Sequence, residues 1–338
     1  MTITYLFRSS GTGHSIEGLF DSLRHEVERQ VDVTIQAIRL PFVSRGIRSI
    51  WRNLRFVATL NADVFHITGD IHYAALCLPP SKTVLTIHDC VILKTNQNRP
   101  IRYALFWLLW YYLPVRRAGV VTVVSEKTRQ ELIHYVGAIA QKTIVVANSY
   151  DPAFVHKPAA VQKKRPVLLQ IGTAPHKNLP NLIAAIEEID CLLVVAGPLS
   201  TAVISCLNQQ KIMYQHYVNL SRDEIIQLYT NCDLVTFVST YEGFGVPILE
   251  ANAIGRPVIT SNISPMREVA GEAAHFVDPA DVTAIRQGIL RLIYDATYRQ
   301  ILIDAGLKNA RQYTTTAIAQ GYVSLYQQQY ESLPQPVS

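Results

Sequence analysis

The chain has 338 residues and a mass of 37.9 kDa, enough for about two domains at roughly 150 residues each and for a substantial buried core. Hydrophobic residues make up 49% and charged residues 17%, with 16 glycines and 17 prolines, which excludes a disordered chain, a collagen-like one and a small disulfide-stapled module. The net charge of +5 and a pI near 8.9 point to anionic partners such as phosphate esters, acidic lipid or nucleic acid, without choosing among them.

The N-terminus enters an apolar run, Ile3 to Phe7, and then meets Arg8, with no basic leader and no small-residue cleavage site. No secretion is expected. From there, short apolar runs of strand length alternate with longer stretches of helical period, the pattern of βαβ units around a parallel sheet. In the first half the expected strands are Ile3–Phe7, Val33–Ile38, Val64–Ile67, Thr83–Ile87, Val120–Val124 and Thr143–Val146. One helix is expected after Gly13 and another after Ser125, a good N-cap. The longest apolar block, Ala104 to Val115, is far shorter than the roughly 20 residues of a membrane span. It reads as a core helix packed on the sheet. Its Trp107, Trp110, Tyr111 and Tyr112, between Arg99, Arg102, Arg116 and Arg117, also permit a contact with a membrane surface.

The stretch Asn148 to Pro166 carries three prolines and a basic cluster without periodicity, which marks a connection between domains. A second alternation follows, with strands expected at Val167–Ile171, Leu192–Ala196, Ile212–Tyr217, Leu234–Val238 and Val258–Thr260 and helices at Leu179–Ile189 and Ser221–Tyr229. Ser221 with Glu224 makes a capping box. After Asp278 the chain reads helical to Gln329. The five cysteines, Cys77, Cys90, Cys191, Cys206 and Cys232, form no CxxC pair, so buried reduced thiols in a cytosolic protein are expected, without zinc or a disulfide framework. Two consecutive doubly wound domains would place two sets of strand carboxyl ends around a cleft, where ligands bind in such sheets.

The most informative segment runs from Ser239 to Glu250. It follows an apolar strand, passes through Gly243 and Gly245, and enters a helix with Pro247 in its first turn. Glycines let a ligand approach the backbone, and the N–H groups of a helix start favour an anion such as a pyrophosphate. Glu250, on the same end as Glu242, can accept hydrogen bonds from two vicinal hydroxyls of a ribose or hexose. Taken alone, Glu250 is equally readable as an acid complementing the helix dipole and Glu242 as a solvated loop residue.

The run Glu242-Gly-Phe-Gly-Val-Pro-Ile-Leu-Glu250-Ala251 resembles the EX7E motif of retaining glycosyltransferases of family 4, which have the GT-B fold. Its continuation at residues 253–262, Met266–Gly271 and Ala274–Pro279 resembles the family too, and so does the strand, lysine loop and helix from Val167 through Gly172, His176, Lys177 and Asn178. Weaker likenesses occur at Thr86–Asp89, Val124–Thr128 and Ala147–Pro152. The resemblance implies that Lys177 neutralises the diphosphate of a nucleotide-sugar and that Glu250 binds its ribose. Glu242, with the amides of Gly243, Phe244, Gly245 and Val246, would hold the transferred sugar. A fixed lysine suits a departing diphosphate, on which negative charge builds. His88 would contact sugar or acceptor, with Asp89 either orienting the imidazole or capping a turn.

The loop Ser9–Ser15 fails as a dinucleotide fingerprint, because Ile16 occupies the third small position after Gly11 and Gly13. The family resemblance keeps Gly11 and Gly13 near the diphosphate and acceptor, against a plain strand-to-helix turn. Two positions depart from the family: Thr173 and His176 stand where many relatives carry an arginine, so phosphate affinity is expected to be lower, or pH-dependent through His176. The chain has no Asp-x-Asp, in keeping with the metal-independent chemistry that the resemblance implies.

The expected architecture is therefore α/β and GT-B, two Rossmann-like doubly wound domains facing a central cleft. Residues 1–155 would bind acceptor, 156–312 would bind the nucleotide-sugar, and 313–338 would return a helix to the first domain before a tail. The expected function is a retaining, metal-independent hexosyltransferase acting on a glycan or lipid-linked acceptor in polysaccharide biosynthesis. It would need no cofactor and no nucleic acid, and it would sit in the cytoplasm with peripheral contact to the inner membrane face through residues 99–117. Two other readings of the same fold are a catalytically degenerate partner subunit and a sugar-nucleotide epimerase or hydrolase.

Overall fold

A computed structural model describes residues 1–11, 15–158 and 165–331. The chain forms two compact units, Met1–Ser149 together with the chain from Thr315 on, and Tyr150–Thr314.

Unit 1 is built on six parallel strands, β1 (Thr2–Phe7), β2 (Thr34–Arg39), β3 (Val64–Ile67), β4 (Thr83–Ile87), β5 (Val120–Val123) and β6 (Ile144–Val145), in the order β2-β1-β3-β4-β5-β6. Ile3 of β1 pairs with Ile35 on one side and Val64 on the other. The chain thus runs to one edge, returns, and continues the other way, which puts the topological switch point between β1 and β3. β3 and β4 are buried along their whole length, as expected for parallel strands covered on both faces. Alternation divides the core: Leu6 packs with Phe65, Leu85 and Trp110 on one face, and Ile3, Tyr5 and Phe7 pack with Phe20, Tyr322 and Tyr326 on the other.

The last helix, Thr315–Glu331, packs against the first, Ser15–Gln30. A buried polar chain ties it to the sheet. Tyr326 Oη lies 3.0 Å from Tyr5 Oη and 2.6 Å from His66 Nδ1, and His66 Nε2 lies 2.7 Å from Thr86 Oγ1. Burial pushes the His66 imidazole down to about 3, so it is neutral at physiological pH.

Unit 2 repeats the plan with β7 (Val167–Ile171), β8 (Leu192–Ala196), β9 (Met213–Tyr217), β10 (Leu234–Phe237), β11 (Val258–Ser261) and β12 (His275–Val277), in the order β12-β11-β10-β7-β8-β9. Its switch point lies between β7 and β10. The capping box at Ser221 and Glu224 forms as the residue types predict.

Several local expectations change. The aromatic block is helical across residues 100–117 but widens to a π-helical turn at Trp107–Tyr112, and only part of it is core. Trp110, Tyr111 and Val115 are buried, whereas Ile101, Leu105 and Leu108 are exposed. The helix expected to reach Ile189 ends at Ile186, with Glu188 at a φ of 64° beyond it. The helical tail from 278 is interrupted at Asp295, which N-caps the next helix by accepting from Tyr298 N, and again before Thr315. All five cysteines are free, but Cys77 is exposed rather than buried.

Candidate functional site

The unit 2 switch point gathers the loop after β7 and the loop after β10. Gly172 follows β7 with a φ of 83°, and a Cβ there would stand 3.2 Å from Lys177 Cε, so glycine lets the lysine stem lie against its own loop. Beneath the loop, the buried Gln170 amide donates to the carbonyls of Gly172 (3.3 Å) and Lys177 (3.2 Å). Asn178 closes the loop in the left-handed region with φ 60°. Its amide donates to Val238 O at 3.0 Å and Pro279 O at 2.7 Å, binding together three strand ends that lie far apart in the chain. Thr240 N donates to His176 O at 2.8 Å, joining the two loops directly.

Across that junction Lys177 Nζ donates to Glu242 Oε1 at 2.7 Å, with both side chains largely buried. The ammonium also lies 4.8 Å from the centre of the Phe237 ring, a cation–π contact. Glu242 is therefore no solvated loop residue. Gly245, with φ 119°, starts the helix Val246–Ile254 and supplies no side-chain cap, which leaves the helix start suited to an anion. Phe244 is buried edge-on against Tyr313, ring centres 6.0 Å apart, and so holds the glycine loop down.

Glu250 lies on that helix, and its Oε2 accepts a hydrogen bond from Tyr229 Oη. Burial pushes its carboxyl up to about 7, with the Tyr229 hydroxyl and the Lys177 charge pulling the other way. A carboxyl balanced there ionises when further hydrogen-bond donors arrive. His176 is half-buried and its imidazole is held down by burial. Thr173 closes the loop beneath Gly197, where a Cβ would meet Thr173 Cγ2 at 3.0 Å. Lys177, His176, Thr173, Glu242, Gly243, Phe244, Gly245, Val246 and Glu250 thus lie on three neighbouring segments of one unit.

In unit 1, His88 follows β4. Its Nε2 donates to Thr68 O at 2.8 Å, which leaves Nδ1 as an acceptor, and burial lowers its pKa. Asp89 does not orient the imidazole: its Oδ1 accepts from Val91 N at 2.9 Å and caps the turn. Gly11 sits in an exposed turn with φ 80°, while Gly13 lies outside the described residues. Sequence reasoning missed Arg8, which immediately follows β1. Its guanidinium grips Glu17 through two 2.9 Å hydrogen bonds and lies 3.5 Å from Asp70 after β3. A charged residue directly after an apolar strand was the available signal.

Two family models match the chain: Glycosyltransferase Family 4 over residues 12–154 and Glycosyl transferases group 1 over residues 153–309. Among curated relatives, the O-antigen chain mannosyltransferase B of Escherichia coli is 27% identical over 69% of this chain and 67% of its own length. The serotype-specific mannosyltransferase WbdA of the same organism is 25% identical over 75% of this chain, which spans only 35% of that protein. Among solved structures, the sucrose-phosphate synthase of Thermosynechococcus elongatus superposes over 98% of this chain and all of its own with a TM-score of 0.82 at 16% identity.

Proposed function

This chain belongs to the GT-B glycosyltransferases of the family 4 type, and on that footing we propose that it moves a hexose from a nucleoside-diphosphate sugar to a glycan or lipid-linked acceptor in bacterial surface-polysaccharide assembly. The observation that carries this reading is the Lys177–Glu242 pair beside an uncapped helix start at the switch point of unit 2. O-antigen mannosyltransferases among the relatives support a hexose as the group transferred and a polysaccharide as the product.

In this reading the diphosphate lies on Lys177 and the N-terminus of the helix Val246–Ile254, Glu250 accepts from the ribose hydroxyls, and Glu242 accepts from hydroxyls of the sugar. The charge that builds on the leaving diphosphate meets a lysine already in place, so stabilisation needs little reorganisation. Transfer retains the anomeric configuration by attack on the face the diphosphate leaves, with the departing phosphate taking the acceptor proton, and no metal is required. His88, neutral and with Nδ1 as acceptor, contacts sugar or acceptor. No described helix is long and apolar enough to cross a membrane. The exposed Ile101, Leu105 and Leu108 beside Arg99 and Arg102 support peripheral contact with an anionic membrane on the cytoplasmic side, where nucleotide-sugars are made.

The test is a transfer assay with a panel of nucleotide-sugars, polyprenyl-linked and free glycan acceptors, and excess chelator. The reading expects one donor to give a glycoside of retained configuration with chelator present. Free sugar or an isomerised donor as the main product would contradict it.

A further inference from the structure

A second constellation lies wholly within unit 1. A cavity of about 380 Å³ opens at the carboxyl ends of its sheet, a volume in the range of small-molecule sites. Its walls come from the segments after β1, β2, β3 and β4 and from the helical block around Trp110, so it spans the β1/β3 switch point. Three guanidinium groups, Arg8, Arg45 and Arg102, line it against a single carboxylate, Asp70.

Arg8 is committed to Glu17 and Asp70. Arg45 and Arg102 are not: among the described residues no carboxylate pairs with either, and the chain holds no Asp or Glu between Asp32 and Asp63 or between Asp89 and Glu126. Arg102 lies 5.6 Å from the centre of the Phe106 ring.

The walls that carry these groups are firmly built. Buried Asn53 exchanges hydrogen bonds with both backbone groups of Phe42 and donates to Tyr73 Oη at 2.9 Å, while Ser44 Oγ lies 2.7 Å from the same hydroxyl. This anchors the loop that presents Arg45. Trp110 is held by its indole N–H on Asp70 O at 2.8 Å and packs on Phe106 with ring centres 5.1 Å apart. The cavity thus sets two guanidinium groups that no carboxylate pairs among the described residues beside an aromatic face.

We propose that this cavity is a subsite for a phosphate or diphosphate ester borne by the acceptor, selected by Arg45 and Arg102. Guanidinium groups match phosphate oxygens in bidentate geometry, and the aromatic face receives the organic part of an ester, which an inorganic ion lacks. That the ester is an acceptor rests on the glycosyl-transfer reading; the anion chemistry does not. The ester can be a membrane lipid that carries the growing glycan or a soluble sugar phosphate.

Equilibrium titrations distinguish these. Farnesyl diphosphate, a hexose 1-phosphate and glucuronate are titrated into wild type, Lys177→Ala and the double variant Arg45→Glu/Arg102→Glu, with nucleoside diphosphates titrated in parallel. Both arginines are exposed, so the double variant should fold; thermal melting checks this, and Arg45→Gln/Arg102→Gln serves as the milder pair. The expected result is that at least one ester binds wild type and Lys177→Ala alike and binds the double variant about tenfold or more weakly. The double variant should keep its nucleoside diphosphate affinity. Binding of farnesyl diphosphate alone assigns the lipid source, and binding of the hexose 1-phosphate alone assigns the soluble one. The proposal is overturned if neither ester binds, if glucuronate binds as well as they do, or if the arginine variants bind them like wild type. Ester binding that follows the arginines while no nucleoside diphosphate binds would leave the subsite standing and remove the glycosyl-transfer reading.

Discussion

Lys177 and Glu242 meet at 2.7 Å across the point where the unit 2 sheet reverses its direction of growth, one from the loop after β7 and the other from the loop after β10. In unit 1, Arg8 after β1 and Asp70 after β3 stand 3.5 Å apart across the corresponding reversal. Parallel sheets open a crevice at such points because adjacent loops leave toward opposite faces. In both units that crevice is bridged by a cation and a carboxylate.

The ion pair predicts opposite effects for its two ends. Lys177→Ala should weaken nucleoside diphosphate binding and lower kcat by about 10²–10³, the loss typical of one preorganised charge-stabilising group. Glu242→Gln removes the carboxylate that competes with phosphate for Lys177, so it should bind the diphosphate as tightly as wild type or tighter and still transfer slowly. Calorimetric titration with steady-state kinetics checks both. Parallel loss of binding in the two variants would contradict these roles.

Glu250 predicts a pH dependence. Its carboxyl is held up to about 7 by burial, above its value in the unfolded chain. Its contribution to the stability of the ligand-free protein is therefore fully present at acidic pH, below the unfolded value, and is lost as pH rises through about 7. If Glu250 takes ribose hydroxyls as proposed, they donate to the ionised form, so nucleotide affinity should rise with pH over the same window and binding should release a proton. Glu250→Gln should flatten both profiles, as read by melting curves and titrations between pH 5.5 and 8.5 in buffers of different ionisation enthalpy.

Gly172→Ala tests the lysine loop. At φ 83°, with 3.2 Å to Lys177 Cε, a methyl group both strains the backbone and displaces the lysine. A stability loss of about 1–3 kcal/mol is expected, together with weaker diphosphate binding. Denaturant unfolding and a titration measure the two. Unchanged affinity would show that Lys177 acts from another position.

Much of this was legible in the sequence. The alternation of short apolar runs with helical stretches marked β1 at Ile3–Phe7 and the strands after it, and the residues around Gly172, Lys177, Glu242 and Glu250 marked loops at strand ends. Asn178 was visible as part of the lysine loop but not as a staple, because its acceptors Val238 and Pro279 become neighbours only when the sheet forms. Tyr229 escaped for the same reason: it reaches Glu250 from a different helix. For the aromatic block the sequence left a core helix and a surface contact both open, because hydrophobicity does not say which side of a helix is covered, and the structure shows one side buried and the other exposed.

Tyr326→Phe tests the anchoring of the last helix. The change removes the hydroxyl beside His66 Nδ1 and Tyr5 Oη and leaves a buried imidazole nitrogen unsatisfied. About 1–3 kcal/mol of stability should be lost, with nucleotide affinity in unit 2 unchanged. Urea denaturation read by tryptophan fluorescence gives the first quantity and calorimetry the second.

The most direct test of the central claim is the dissociation constant for UDP, GDP, ADP and CMP, measured by calorimetry on wild type, Lys177→Ala and Glu250→Ala. The account predicts that one diphosphate binds wild type, and that each substitution weakens it by about tenfold or more, the loss of one charge-assisted contact. Binding that ignores both substitutions, or no binding of any nucleotide by a folded wild-type protein, would contradict the assignment of the β7/β10 switch point as the donor site.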